Sequence, residues 1–340
     1  MSKKILITGM TGANVRGQMV KTGVYTQSHM YREGLKELGY EVKNEPPNEN
    51  EIGAQAMDHD IFLIGLASVG SITAGWRIHL LALVGQLILD NKPIITFIDD
   101  WQFQGILPGL LNLQEEGKLE RMFERDVKMG RIGYSFFADW ETEIKIGLNY
   151  LCSKEHIMLS SIMDFGHSND AYYELSENPI FLDVSCFQPI PDIPSDIKYK
   201  QWVIAGLADY TEYAQRLGCS WPVVHIGGKV DGKFKSQKET DAFLAYSKSK
   251  GMLIPTYKSS FTNWWRPRYL FARKYNNLIY AQPGSTGKYE VFNIPVEALE
   301  AMSGASLHQV VREQMKTLDD IVWPKDRFLT VLSEAIALVS

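Results

Sequence analysis

Residues 93–105 read PIITFIDDWQFQG, an apolar run that stops at two adjacent carboxylates and a tryptophan. Ile94, Ile95, Thr96, Phe97 and Ile98 are β-branched or aromatic, the composition of a strand buried on both faces. Asp99 and Asp100 then stand at its carboxyl end, where open α/β sheets collect their ligands. A carboxylate there can take a proton from a hydroxyl, or it can cap a turn. Strand side chains alternate, so only one of the two faces a given side; the other can raise its neighbour's pKa by like-charge repulsion. A second chemical signal is charge. From His225 to Tyr275 eleven Lys or Arg face three acids, a segment suited to an anion.

The elements around these residues alternate. KKILITGM reads as a strand, TQSHMYREGLKELG as a helix closed by Gly39, and residues 40–43 as a second strand. HDIFLIGLA follows as a strand, and WRIHLLALVGQLILD as a helix leading into the Asp99 strand. Residues 179–195 carry Pro179, Pro189, Pro191 and Pro194 and read as an extended linker. Alternation then resumes through WPVVHIGG, KETDAFLAYSKSKG, MLIPTY, RYLFARKY and NLIYAQPG, and RFLTVLSEAIALVS closes as a helix. The pattern predicts an α/β chain of two parallel-sheet domains.

Composition narrows the classes. With 340 residues, 45% hydrophobic, 22% charged and net charge −5, the chain reads as an ordinary globular protein that is not basic throughout. No apolar stretch is long enough for a membrane span, and the opening residues run straight into a strand pattern without a signal peptide. A cytoplasmic protein without a membrane partner is the expectation. Cys152, Cys186 and Cys219 lack the spacing of a disulfide framework or zinc site and read as buried thiols, so no metal ligand set is expected.

The order of these pieces resembles the GT-B glycosyltransferases, in which two Rossmann-like domains face across a cleft, and especially the phage DNA glycosyltransferases of the inverting β-glucosyltransferase type. The resemblance runs loosely over nearly the whole chain. It is carried by YTQSHMYREGLKELGYEV, HDIFLIGLASVGSITAG, PIITFIDDWQF, VVHIGGKVDGKFKSQKE and FTNWWRPRYLFA. It implies an acceptor-binding domain over 1–185, a UDP-sugar domain over 196–320, and a C-terminal helix over 321–340 free to pack back on the first domain. It further implies that Asp99, with Asp100 beside it, is the catalytic base.

For the donor, the resemblance implies that Gly227 and Gly228 let the backbone approach a diphosphate, that Lys229, Lys233 and Lys235 surround it, and that Arg266, Arg268 and Tyr269 complete the site. A solvated turn is the plain alternative for the glycines and lysines taken alone. Trp264 and Trp265 can stack on a base or pack inward. Two departures stand out. The family's ribose-gripping glutamate has no counterpart among Tyr269, Leu270, Phe271 and Ala272, and one of its basic positions falls near Asp231. UDP-sugar is the donor substrate implied, and a divalent ion is optional.

The acceptor implied is the hydroxymethyl group of 5-hydroxymethylcytosine in double-stranded phage DNA, a modification that shields DNA from host nucleases, made by a monomer in the host cytoplasm. Lys118, Arg121, Arg125, Lys128 and Arg131 recur at helical spacing and can track phosphates, or form a salt-bridged solvated face with Glu115, Glu116, Glu120, Glu124 and Asp126. A duplex acceptor requires base flipping, with Trp101, Phe103 or Trp76 near the gap. Three other readings stay open: a GT-B enzyme acting on a small molecule or glycan, a nucleotide-binding oxidoreductase, and a non-catalytic binding protein. Gly9, Gly12 and Gly17 do not make the dinucleotide spacing, and no acid caps the second strand at the distance that motif expects.

Overall fold

The computed structural model describes residues 3–9, 14–15, 18–19, 27–47, 50–66, 77–98, 103–130, 132–161, 170–183, 190–193, 197–205, 211–226, 229–230, 233–234, 239–254, 265–282 and 289–340. They divide into two compact units. The first runs through residue 161, resumes over 170–183 and takes back residues 324–340; the second holds the described residues from 190 to 323.

The first unit is built from β1 (Lys4–Thr8), α1 (Gln27–Glu37), β2 (Glu41–Asn44), α2 (Ile52–Asp58), β3 (Ile61–Gly65), α3 (Arg77–Leu89), β4 (Ile94–Phe97), α4 (Phe103–Gln114), α5 (Lys118–Lys128), α6 (Phe136–Ser153), β5 (Ile157–Ser161) and β6 (Asn178–Leu182). Its six strands are parallel in the order β2-β1-β3-β4-β5-β6. Every residue of β3 and β4 is buried, as continuous apolar runs require when both sheet faces are covered. Two glycines set the approach of α3 to α6. A Cβ on Gly85 would lie 1.8 Å from the Glu143 carbonyl oxygen, and one on Gly147 2.1 Å from that of Leu81, so the two backbones touch where no side chain fits.

One sequence expectation needs correction here. Residues 178–182 are a sixth strand rather than the start of the linker, with Pro179 opposite Met158. Proline fits because β6 is an edge strand, where a missing N–H leaves no ladder bond unmade.

The second unit contains β7 (Tyr199–Ala205), α7 (Thr211–Arg216), β8 (Val223–Ile226), the hairpin strands β9 (Lys229–Val230) and β10 (Lys233–Phe234), α8 (Glu239–Lys248), β11 (Ser249–Ile254), α9 (Trp265–Tyr275), β12 (Leu278–Ala281), α10 (Val296–Ala301) and α11 (Gly304–Ile321). Its main sheet is again parallel, in the order β8-β7-β11-β12. Trp202, Ile204, Trp221, Leu253 and Leu278 form its core with Val296, Leu299 and Val310 of the covering helices. The outer edge of β12 is closed by Gln314 of α11, whose amide accepts from Ile279 N–H at 2.8 Å and donates to Ile279 C=O at 2.7 Å. A side chain thus stands in for a neighbouring strand. Finally α12 (Lys325–Ala337) belongs to the first unit: Phe328 is fully buried and stacks on Tyr31 of α1 with centroids 6.4 Å apart.

Candidate functional site

Among the described residues, Lys229 and Lys233 belong to a hairpin, Arg266 and Arg268 to the first turn of α9, and Lys118, Arg121, Arg125 and Lys128 to α5. In the first unit, β4 is held in register to its last turn. Phe97 is fully buried and edge-on to Tyr31, Thr96 Oγ1 donates to Ile157 C=O at 3.1 Å, and Ile98 N–H donates to Leu159 C=O at 3.2 Å. These bonds hold the chain against the sheet as far as Ile98, the residue before Asp99. Asp99, Asp100 and Trp101 themselves lie outside the described residues, as do Trp76 and Arg131.

In the second unit, β8 ends at Ile226, directly before Gly227 and Gly228, which lie outside the described residues together with Lys235. The backbones of Lys229 and Lys233 belong to an antiparallel hairpin, with Lys229 opposite Phe234 and Val230 opposite Lys233. Arg266 and Arg268 occupy the first turn of α9, which carries no acid. Such a turn presents unsatisfied N–H groups and the positive end of the helix dipole, so basic residues there reinforce anion binding. Pro267 is tolerated because the first turn makes no intrahelical N–H bond. The backbone thus brings the Gly-Gly segment, the lysine hairpin and the arginine turn into a single unit. Asp99 belongs to the other.

The far end of α9 is anchored by residues that sequence reasoning passed over. Lys198 Nζ donates to the carbonyls of Tyr275 and Asn276, the latter at 3.1 Å; Tyr275 donates its hydroxyl to Pro191 C=O at 2.8 Å; Lys274 pairs with Asp192 at 3.0 Å. Burial pushes the Lys198 pKa down to about 8. A lysine just before a strand gives no sequence signal for capping a helix whose end lies 77 residues later.

Tyr269 requires a correction. Grouped with the donor residues from sequence, it is 1% exposed and packs edge-on against Phe292, centroids 5.0 Å apart, so its ring belongs to the core. β2 ends at Asn44, and Glu45 follows directly with its N–H bonded to Ile7 C=O at 3.1 Å. Glu45 lines a pocket of about 420 Å³ with Pro46, Glu51, Gln55 and His79.

The basic residues of 118–128 lie on one helix, α5, with Leu119, Met122 and Asp126 on its buried side. Lys118 pairs with Glu115 at 3.6 Å, and Arg125 with the buried Asp126 at 3.4 Å, while Arg121 and Lys128 are exposed. Cys152 and Cys219 are unpaired and half-buried, and burial pushes both thiols up to about 11, so neither is a ready nucleophile. Among the described residues no group of three or more His, Cys, Asp or Glu gathers as metal ligands. No helix among them is long and apolar enough to cross a membrane.

No protein-family model matches the chain, and no curated protein sequence does. Solved structures do. The chain is similar to T4 phage β-glucosyltransferase in complex with UDP and Mn²⁺, at 12% identity and TM-score 0.59, covering 98% of this chain and 99% of that one. It is likewise similar to the DNA-modifying enzyme β-glucosyltransferase studied with and without uridine diphosphoglucose, at 10% identity and TM-score 0.56 over 98% and 99% of the two chains. A further T4 phage β-glucosyltransferase structure matches at 11% identity and TM-score 0.55 with the same coverage. Along nearly its whole length, the chain has the two-sheet α/β fold of the phage β-glucosyltransferase, the GT-B architecture that its sequence resembles.

Proposed function

We propose that this protein transfers a sugar from a UDP-sugar to the hydroxymethyl group of 5-hydroxymethylcytosine in duplex DNA, with inversion at the anomeric carbon. The observation that carries this reading is the end-to-end likeness in fold to a DNA-modifying enzyme that takes uridine diphosphoglucose. The placement of the basic segment supports it, since the glycine pair, the lysine hairpin and the arginine turn follow one another in the second unit.

In this reading the diphosphate lies against the first turn of α9, and Arg266, Arg268, Lys229 and Lys233 offset the charge that develops on departing UDP. Asp99 accepts the proton of the acceptor hydroxyl as its oxygen attacks the anomeric carbon from the face opposite the UDP, and the C–O bond to UDP breaks as the new one forms. The role of the first unit is to hold the acceptor; that of the second is to hold the donor.

Mass spectrometry of hydroxymethylated DNA incubated with the protein and a panel of UDP-sugars tests the assignment. A mass increment of one sugar per hydroxymethylcytosine with at least one donor is the expected result. A protein that binds UDP yet modifies no hydroxymethylated DNA, but does modify a small-molecule or glycan acceptor, overturns the DNA assignment and keeps the transferase.

A further inference from the structure

The turn that joins α5 to α6 displays its apolar side chains in an unusual way. Met129 closes α5 with its N–H bonded to Arg125 C=O at 3.1 Å, and Gly130 follows at φ +64 with its N–H on Val127 C=O at 2.9 Å. This is the left-handed helix ending that glycine favours. Ile132 is 6% exposed and plugs the turn into the unit, Phe136 N–H bonds to Gly133 C=O at 3.2 Å, and Phe123 of α5 packs on Phe137 of α6 at 4.8 Å. The described residues on either side of Arg131 are therefore tied into the unit. Yet Tyr134 is 87% exposed and Met129 58%, the former without a ring partner among the described residues. A solvated tyrosine ring leaves unused the contact area such rings usually supply.

The helix leading into this turn carries the opposite kind of signal. Arg121, Arg125 and Lys128 follow one another at spacings of four and three and share one side of α5 with the exposed Glu124, so three cations meet one acid there, and Lys128 is the last helical residue before Met129. Cations in a row next to an unpartnered aromatic tip are the two ingredients of a nucleic-acid contact. The cations take the phosphates, and the ring takes a base face that has lost its stacking neighbour.

We propose that the α5–α6 turn is the duplex-opening contact, with Arg121, Arg125 and Lys128 along a phosphate backbone and Tyr134, flanked by Met129, stacking where the target base has left the helix. The proposal rests on duplex DNA being the acceptor and adds the residue that keeps the duplex open. Extruding a base loses its stacking and pairing, and a ring that replaces the lost stack stabilises the opened state. Tyr134 acts before chemistry and touches neither donor nor reacting atoms.

The test compares two substrates: duplex DNA with hydroxymethylcytosine paired to guanine, and the same duplex with an abasic site opposite the hydroxymethylcytosine, where opening is already easy. Tyr134→Ala is expected to lower transfer to the paired duplex about tenfold, the scale of one lost base–aromatic stack, while leaving transfer to the unpaired site within about twofold. Tyr134→Phe, which keeps the ring, should restore the paired rate. The salt dependence of binding should not change in either variant, because no phosphate contact is removed. A paired-to-unpaired ratio in Tyr134→Ala equal to that of the unaltered protein overturns the role of Tyr134 and leaves the acceptor assignment standing. An unaltered protein that glycosylates neither duplex overturns the acceptor assignment, and this contact with it.

Discussion

Trp202 Nε1 donates to Glu300 Oε1 at 2.7 Å, joining the central strand of the second unit to α10. The same carboxylate accepts from Trp221 N–H at 2.9 Å, from Ser220 N–H at 2.7 Å and from the Ser220 hydroxyl. Burial pushes the Glu300 pKa up, but the bonds from Ser220, Trp221 and Trp202 outweigh it and hold the carboxyl below its ordinary range. The network also fixes Trp202, which stacks on Trp221 at 5.3 Å and fills the space over Gly251, where a Cβ would lie 2.3 Å from its ring. Glu300→Ala is expected to cost about 2 kcal/mol of stability by urea unfolding, at the low end for several charge-assisted bonds because the carboxylate is partly solvated. With a lowered folded pKa, the contribution is present above the ordinary carboxylate pKa and fades as pH falls through the lowered value. Glu300→Ala should therefore lose less stability on acidification than the unaltered protein.

His156 supplies a second, independent acid limb. It is 2% exposed at the start of β5, with no well-formed hydrogen bond to either ring nitrogen. Burial lowers its pKa to about 4, offset only in part by the nearby Tyr150 carbonyl. Between this value and the ordinary pKa of about 6.5, the unfolded chain takes up a proton that the folded one refuses. Stability is therefore full above pH ~6.5 and falls as pH drops toward 4, by ~3 kcal/mol in all. In His156→Leu the difference in unfolding free energy between pH 7 and pH 4.5 should shrink by about 2 kcal/mol. An unchanged difference would show that the ring binds its proton equally well folded and unfolded.

The alternation of apolar strands and helices was legible because most strands of the sheets are short, apolar and punctuated. Ile94–Phe97 announces itself, and Gly39 closes α1 at φ +89 as a glycine C-cap should. What depends on partners far along the chain was not. Pro179 reads as linker until the strand beside it is known, and Tyr269 reads as a ligand contact until Phe292 is placed against it. The bulge at which Lys200 and Gln201 oppose Lys250, between the pairs Tyr199–Ser249 and Trp202–Gly251, leaves no mark in a hydropathy pattern. At the candidate site, the sequence named residues by type and order. The structure adds the strand ends and the helix turn that carry them, together with the anchoring of α9 by Lys198.

For the donor, Arg268→Ala is expected to weaken UDP binding by about 1.5–3 kcal/mol, the scale of a charge-assisted hydrogen bond. Arg268 sits in the first turn of α9, whose far end is held by the Lys198 and Tyr275 contacts, so the helix itself should persist in the variant. Calorimetry with UDP is the measurement. An unchanged affinity removes Arg268 from the donor site.

For the base, Asp99→Asn is expected to leave UDP affinity and thermal stability intact while lowering turnover about 100-fold or more. The reasoning is positional: Asp99 follows directly on Ile98, which is buried and bonded through its N–H to Leu159 C=O just past the end of β4. Near-normal turnover in Asp99→Asn with loss in Asp100→Asn would move the role one residue along.

The cationic face of α5 offers the sharpest separation of acceptor from donor. Arg125 is a poor choice for substitution, because its removal strips the partner from the buried Asp126 and invites a loss of stability unrelated to DNA. Lys118 is already paired with Glu115. Arg121 and Lys128 are exposed, and changing both to Gln should cost little stability. If each neutralises a backbone phosphate, the double variant should bind DNA more weakly on all sequences alike, and the slope of log K against log salt should fall by about 1.8, roughly 0.9 for each lost contact. UDP affinity should not move, since α5 belongs to the first unit and the donor residues to the second. Unaltered DNA affinity and slope would return these two side chains to a solvated helix face and leave the acceptor to be held elsewhere on the first unit.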